Sequence, residues 1–398
     1  MTPSARVQAS IDLLDDIIAA AREGGAAADT LIARYFKTRR YAGAKDRRAV
    51  RDLVYAAIRL CGERPENGRA AMLALARQDE ALAALFDTST HGPAAIVADE
   101  PVARASAVPQ WLFPHFAQPL GDRAEQVALL QRAPLDLRLN ALKPDSAIVL
   151  AAFPEAERFP DIPHALRIPD GAPVEQSDAW RDGLVEIQDI GSQMIARACE
   201  AQPGMTVIDL CAGAGGKTLA LAADMAREGV GQGRLIAIDV NRDRLSRLPP
   251  RAERAGADFI ETLLIDAGRE EGALGPMAEI ADVVLVDAPC SGTGTWRRNP
   301  EARWRLTPER LALLTREQAR ILDLAAPLVK PGGRLVYAVC ALTDAEGSGQ
   351  IGAFLSRHTG WKSAPPDLPL GRKYGEGRLL TPAHDGTDGF FIATLVKL

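Results

Sequence analysis

At 398 residues the chain is long for a single hydrophobic core, so two or three domains are expected. With 47% hydrophobic and 25% charged residues its composition is that of an ordinary soluble protein, and a net charge of -5 means that any nucleic-acid footprint must be local. No apolar run approaches the roughly 20 residues that cross a bilayer, and the acid-broken N-terminal stretch lacks the apolar core of a signal peptide, so a cytoplasmic protein with no membrane partner is expected.

Residues 4–87 read as helical. Ile11, Leu14, Ile17 and Ile18 recur at helical spacing, as do Leu53, Tyr55, Ile58 and Leu60, and strand formers are few. The first domain is expected at 1–90. A linker, Ser89 to Val108, carries Gly92-Pro93 and Pro101. Pro109-Gln-Trp-Leu-Phe-Pro114 opens a smaller region, 109–174, in which Ala133 to Asn140 alternates like a strand. Prolines recur there, and a small α/β module is expected.

The pattern changes for the last domain, 175–398. Apolar strands at Thr206–Leu210, Arg234–Ile238, Phe259–Ile265, Asp282–Val286 and Arg334–Val339 alternate with helical stretches. Such alternation predicts an α/β fold with a parallel, doubly wound sheet. Pro331-Gly332-Gly333 is expected as a tight turn, and a last strand runs from Phe390 to Lys397.

Between the first of these strands and its helix stands Asp209-Leu-Cys-Ala-Gly-Ala-Gly-Gly-Lys-Thr218. Glycines at a strand-to-helix turn let backbone approach a ligand closely. Three readings compete. A P-loop fits Gly216-Lys217-Thr218 but would need glycine where Cys211 stands. A dinucleotide fingerprint fits Gly213 and Gly215 but would need glycine where Thr218 stands. An S-adenosylmethionine loop needs only the close approach, with Cys211, Ala212, Gly213, Ala214, Gly215 and Gly216 supplying backbone. Asp239 ends the next strand, where a carboxylate can accept both ribose hydroxyls; that serves a dinucleotide equally well. Asp266 ends the third strand and could meet the adenine amino group. A helix- or loop-capping role competes for each aspartate.

The most informative stretch is Asp287-Ala-Pro-Cys290-Ser-Gly-Thr-Gly294. It follows an apolar strand, so Asp287 and Cys290 belong at a strand's carboxyl end, the edge where open α/β sheets bind ligands. Cys340 ends another such strand. Two strand-end cysteines beside a strand-end aspartate suggest covalent chemistry on a ring attacked by sulfur. The remaining cysteines are Cys61, Cys199 and Cys211, with no Cys-x-x-Cys pair, and the five histidines are scattered. Neither a disulfide framework nor a metal site is expected. Cys61 and Cys199 read as small buried apolar residues.

Taken in order, the glycine loop, the Asp-Ala-Pro-Cys turn and Tyr337-Ala-Val-Cys340 resemble those of RNA cytosine-C5 methyltransferases, in particular the RsmB/Sun branch of the NOL1/NOP2/Sun family, bacterial enzymes of 16S ribosomal RNA. The resemblance covers about residues 185–398. Supporting segments are Gln188 to Gln193, Arg297 to Trp304, Lys330 to Gly333 and Asp388 to Phe391, with Leu137 to Asn140 ahead of them. Lys45 to Tyr55 resembles, less closely, the NusB-type RNA-binding domain of that branch. Two departures stand out. The family usually has proline where Ala214 stands, and a serine and an acidic-Asn pair in the segment here written Ala341 to Gly347.

The resemblance implies a Rossmann-like S-adenosylmethionine-dependent methyltransferase domain behind an all-α NusB-like domain. It implies Cys340 as the nucleophile toward cytosine C6, Cys290 as the thiol that assists release, and Lys217 pointing toward the cytosine and Asp287. Adding a thiolate to C6 makes C5 enamine-like and able to take a methyl group. A carboxyl at Asp287, facing N3 and the N4 amino group, would stabilise the charge that develops, and it borders the cofactor. For Lys217 the bland alternative is a solvated lysine at a helix start.

Nine basic residues lie between Arg34 and Arg59, interleaved with Tyr35, Phe36, Tyr41 and Tyr55. Such a patch suits phosphate contacts with stacking partners, although a solvated helix face with aromatics in the core has the same pattern. Arg297, Arg298, Arg303 and Arg305, flanked by Trp296 and Trp304, form a second basic cluster. RNA is the expected partner, 16S ribosomal RNA ahead of transfer RNA, and the protein is expected to be a monomer. The rival readings are a DNA cytosine methyltransferase, a dinucleotide oxidoreductase, and an RNA-binding factor with an inert methyltransferase half.

Overall fold

The computed structural model describes every residue except Pro144. The chain divides into two compact units, Met1–Arg132 with Thr295–Arg310, and Ala133–Gly294 with Leu311–Leu398. No helix among the described residues is long and apolar enough to cross a membrane.

The first unit is helical, with α1 (Pro3–Glu23), α2 (Ala28–Thr38), α3 (Ala44–Leu60), α4 (Gly68–Ala76) and the short α5 (Glu80–Ala83). The start of α1 follows from its sequence: the Thr2 hydroxyl accepts from the Ala5 N–H at 3.2 Å, and Pro3 needs no N–H in the first turn. Gly24, left-handed at φ 76°, ends it. Val7, Leu14, Ile17 and Ile18 bury one face against Val50, Val54 and Ile58 of α3. Cys61 lies in this core, fully buried, as expected of a small apolar residue.

Residues 295–310 correct an expectation. Read as a basic RNA-binding cluster, they are largely interior: Trp296, Arg297, Arg303 and Trp304 are all buried. Arg303 spreads its guanidinium over the carbonyls of Ile58, Arg59 and Ala107, filling the open carbonyls at the end of α3. Arg305 does the same for Ala20, Gly25 and Ala26 at the end of α1. Trp304 donates its indole N–H to the Cys61 carbonyl at 2.8 Å. Enclosed in the core and turned onto backbone carbonyls, the Arg303 guanidinium is out of reach of phosphate, whereas Arg298 is exposed.

The second unit opens with a four-stranded antiparallel sheet in the order β2-β3-β1-β4, from β1 (Leu135–Leu139), β2 (Glu157–Phe159), β3 (Ile162–Ile168) and β4 (Val185–Ile187). Its fourth strand lies beyond residue 174, so the sequence boundary drawn there falls inside the module's sheet. Leu137, Leu166, Ile168 and Val185 pack its core.

The larger sheet is built from β5 (Thr206–Asp209), β8 (Arg234–Asp239), β9 (Ile260–Leu264), β10 (Ala281–Asp287) and β11 (Val329–Val339), with a short hairpin of β6 (Ala226–Arg227) and β7 (Val230–Gly231) between β5 and β8. These five are parallel, in the order β9-β8-β5-β10-β11. β12 (Trp361–Ser363), β13 (Arg372–Tyr374), β14 (Gly377–Leu380) and β15 (Phe390–Lys397) extend the sheet by antiparallel pairing, β15 directly on β11. The strand order reverses between β5 and β10, which makes the carboxyl ends of these two the switch point of a doubly wound sheet. One local expectation is corrected: Pro331 to Gly333 lies within β11 as an irregularity in its pairing with β10, not as a turn before it.

Truncating Trp304 to alanine removes a fully enclosed ring and leaves the Cys61 carbonyl unpaired. A loss of about 3–5 kcal/mol is expected in urea unfolding. Trp304→Phe, which keeps much of the volume, should lose about half of that or less. Equal losses for the two would contradict the packing role.

Candidate active site

The site forms where β5, β8, β10 and β11 end. β5 stops at Asp209, and the loop after it is pinned strand by strand: Leu210 donates to the Leu285 carbonyl and Ala212 to the Ile238 carbonyl, both at 2.9 Å. Gly213 and Gly215 are left-handed, at φ 56° and 83°. A Cβ on Gly213 would run into the Arg244 guanidinium, and one on Gly215 into Leu248. The turn therefore requires glycine twice. Ala214, where proline is usual in the resembled family, leaves this geometry intact; its carbonyl accepts from Arg251 at 2.6 Å.

The helix Gly216–Asp224 follows at once. Its first turn argues against a phosphate cradle. Lys217 points to Asp287, Nζ to Oδ2 at 2.7 Å, and Thr218, fully buried, donates to Asp209 at 2.7 Å. In a P-loop the lysine and the hydroxyl would face phosphate and metal. Asp239 takes the Gly213 N–H and the Asn241 N–H, each at 2.7 Å, one on each carboxylate oxygen. Each oxygen keeps room for a second donor, as a ribose diol would supply.

Parallel pairing of β10 with β11 sets Asp287 opposite Ala338. The Ala288 N–H bonds the Ala338 carbonyl at 2.9 Å and the Gly294 N–H bonds the Cys340 carbonyl at 3.0 Å. The turn after β10 is thereby tied to the turn after β11, and the Cys290 and Cys340 sulfurs lie 3.3 Å apart. Gly294 also meets the backbone of Gly389, whose N–H it receives at 2.8 Å; a Cβ there would collide with that residue.

Behind the cysteines stands a residue that sequence reasoning missed. Glu346, fully buried, accepts from the Ser291 N–H at 2.7 Å and the Gln318 amide at 3.0 Å on Oε1, and from the Ser291 and Thr343 hydroxyls at 2.5 and 2.8 Å on Oε2. Gln318, on the helix Pro308–Ala325, also donates to the Pro289 carbonyl at 2.9 Å. Glu346 lies in the segment that departs from the family pattern, so its sequence context hid it.

A cavity of about 420 Å³ opens along these strand ends, lined by Leu210, Cys211, Ile238, Asp239, Val240, Asn241, Arg244, Ile265, Asp287, Pro289, Cys290 and Cys340 among others. It is apolar at Ile238, Val240 and Ile265 and polar at Asp239 and Asp287. Val240, Arg244 and Ile265 had not been singled out; Val240 and Ile265 were findable as apolar residues next to strand-end aspartates. Asp266 is exposed, its carbonyl capping the Arg269 N–H at 3.0 Å, and it does not line the cavity. Among the described residues no cluster of ligands could hold a metal ion.

Electrostatics separate the thiols. The contact with Cys340, burial, and the charges of Cys340 and Glu346 together push the Cys290 thiol well up. Burial and the surrounding aspartates do the same to Cys211. Lys217 is buried, which favours its neutral form, but Asp287 and the charge at Cys340 outweigh this and hold the ammonium. Thus Cys340 shares its surroundings with a cation, whereas Cys290 faces a carboxylate.

The family described as 16S rRNA methyltransferase RsmB/F matches residues 196–396. A Klebsiella pneumoniae protein named ribosomal RNA small subunit methyltransferase B is 35% identical over 298 residues, 73% of this chain; the match spans 66% of that relative's length, just short of two thirds. Among solved structures, PH0851 superposes with a TM-score of 0.78 at 25% identity, over 100% of this chain and 99% of its own. A methyltransferase homolog from Pyrococcus horikoshii gives 0.58 at 26% identity, over 69% and 90%.

Asp209 supplies a test of the site's electrostatics. Burial raises its pKa to about 7, well above the roughly 3.9 of an unfolded aspartate. The folded state therefore binds this proton more tightly, and the stability it contributes at low pH is lost as pH rises from about 4 to about 7. Asp209→Asn should remove that part of the decline, so its melting temperature relative to the unsubstituted protein should rise across the window. A difference independent of pH would contradict the burial.

Proposed function

Because the chain belongs to the 16S rRNA methyltransferase RsmB/F family, we propose that it transfers a methyl group from S-adenosylmethionine to C5 of a cytosine in RNA, foremost 16S ribosomal RNA. The observation that carries this reading is one strand-end edge holding two thiols 3.3 Å apart beside a lysine–carboxylate pair at 2.7 Å. Neither hydride transfer nor phosphate binding needs such a set.

The donor set fits S-adenosylmethionine. Asp239 would accept the ribose hydroxyls, Ile238, Val240 and Ile265 would offer an apolar surface to the adenine, and the loop from Cys211 to Gly216 would lend backbone. When bound, the cofactor supplies an electrophilic methyl group on its sulfonium. The chain's own residues make C5 able to take it. Cys340 adds as thiolate to C6, breaking the ring's conjugation. The Asp287 carboxyl, held by Lys217, faces N3 and the N4 amino group and stabilises charge as the sulfur adds. After methylation a water molecule takes the C5 proton, the C5–H electron pair re-forms the C5–C6 double bond, and the C6–sulfur bond breaks to return the Cys340 thiolate. Cys290, kept as a thiol, can donate a hydrogen bond to the departing sulfur.

RNA is held by local charge. On α2, α3 and the turn between them, Arg34, Lys37, Arg40, Lys45, Arg47, Arg48 and Arg51 are exposed, and Tyr41 is 72% exposed. Tyr35 and Phe36 instead belong to the core. The patch therefore offers phosphate contacts with one free stacking ring. Residues 1–90 serve in this reading as the NusB-like RNA-binding domain.

Three experiments test the proposal. Cys340→Ala should form no protein–RNA adduct on a denaturing gel, while Cys290→Ala should accumulate one; an adduct with Cys340→Ala would overturn the assignment. Charge reversal at Arg47, Arg48 and Arg51 should weaken RNA binding and flatten its salt dependence. Bisulfite sequencing of ribosomal and transfer RNA from a strain lacking the protein should show a cytosine lost from 16S ribosomal RNA; a loss confined to transfer RNA would redirect the substrate.

A further inference from the structure

We infer that Glu346 is a positioning residue for the two cysteines, an inference that rests on the methyl-transfer reading above. Its carboxylate is the point at which the turn after β10 and the turn after β11 are fastened together. Ser291, next to Cys290, gives it both its N–H and its hydroxyl, at 2.7 and 2.5 Å. Thr343, three residues past Cys340, gives a third donor at 2.8 Å, and Gln318 gives a fourth at 3.0 Å while also holding the Pro289 carbonyl. From the other side, Tyr337, on the strand leading to Cys340, donates its hydroxyl to the Glu346 backbone carbonyl at 2.7 Å.

These donors come from both cysteine-bearing segments and from one helix, and they converge on a single side chain with no exposed surface. The Ala288 and Gly294 N–H groups anchor the two ends of the turn that carries Cys290, and the Gly292 backbone bonds the Cys290 thiol. Ser291 is the adjacent residue, and Glu346 holds it at two atoms. Removing the carboxylate would leave four donors unpaired and free the Cys290 turn to move relative to Cys340. A displacement of about 1 Å at a reacting group can cost about 100-fold in rate.

Two variants separate bonding from charge. In Glu346→Gln the amide oxygen can keep the Ser291 and Gln318 N–H donors, while the new NH2 group donates to the Ser291 and Thr343 hydroxyls, which can accept. Glu346→Ala removes every side-chain contact.

The test measures methyl transfer to RNA together with a direct probe of thiol proximity. In the probe, hydrogen peroxide takes two electrons and two protons from Cys290 and Cys340, giving one disulfide and two waters, and mass spectrometry follows the linked peptides. Glu346→Ala should lower kcat about 100-fold and slow disulfide formation at least about tenfold, with the KM for S-adenosylmethionine unchanged within about twofold. Glu346→Gln should restore both rates to within about tenfold of the unsubstituted protein. Ser291→Ala, which removes one of the contacts, should give an intermediate loss and decides the matter if Glu346→Ala does not fold. Unchanged rates in Glu346→Ala, or a Glu346→Gln variant as slow as Glu346→Ala, would overturn the positioning role. If the unsubstituted protein methylated no RNA, the methyl-transfer reading would fail, and the disulfide comparison would still decide the role of Glu346.

Discussion

Parallel pairing of β10 with β11 is the constraint on which the site depends. Strand pairing of this kind fixes which residues leave the sheet side by side, and here they are Asp287 and Ala338. One turn beyond each lies a cysteine. Without that register the two sulfurs would not lie 3.3 Å apart, and neither would stand near the Lys217 ammonium. β5, on the other side of β10, brings the glycine loop to the same edge. A single topological feature, the reversal of strand order between β5 and β10, thus assembles the cavity and a pair of thiols along one crevice.

The two thiols are chemically unequal although their sequence settings look alike. Both follow apolar strands and both border the cavity. The difference lies in what faces them: Lys217 and its partner Asp287 on the Cys340 side, Glu346 on the Cys290 side. The Glu346 carboxylate and the neighbouring sulfur hold the Cys290 thiol in its protonated form. Lys217 reaches this place because it sits in the first turn of the helix that starts directly at Gly216, and its partner is a strand-end aspartate across the switch point.

Much of this was legible in the sequence, for a physical reason. The parallel strands are buried on both faces and read as unbroken apolar runs, and each ends where a charged or reactive residue begins, so Asp209, Asp239, Asp287 and Cys340 mark their own positions. Cys61 and Cys199 were rightly read as core residues. What the sequence could not give was the fate of polar residues that act from inside. Arg303 and Arg305 look like phosphate ligands as text, yet they cap α3 and α1, because a guanidinium serves carbonyls as well as phosphates. Glu346 carries no mark of its own in the sequence, because its donors come from residues 28 to 55 positions away as well as from its neighbour Thr343. β4 was hidden because three residues after a proline-rich stretch carry too little pattern to announce a strand.

The central claim is that the sulfur at position 340 bonds to the pyrimidine. RNA carrying 5-fluorocytidine at the target position tests it most directly, because fluorine cannot leave as the C5 proton does and the adduct persists. Digestion of the trapped complex and mass spectrometry should place the nucleotide on the peptide that contains Cys340. A nucleotide on the Cys290 peptide, or no covalent complex in the presence of S-adenosylmethionine and a substrate RNA that is otherwise methylated, would contradict the account.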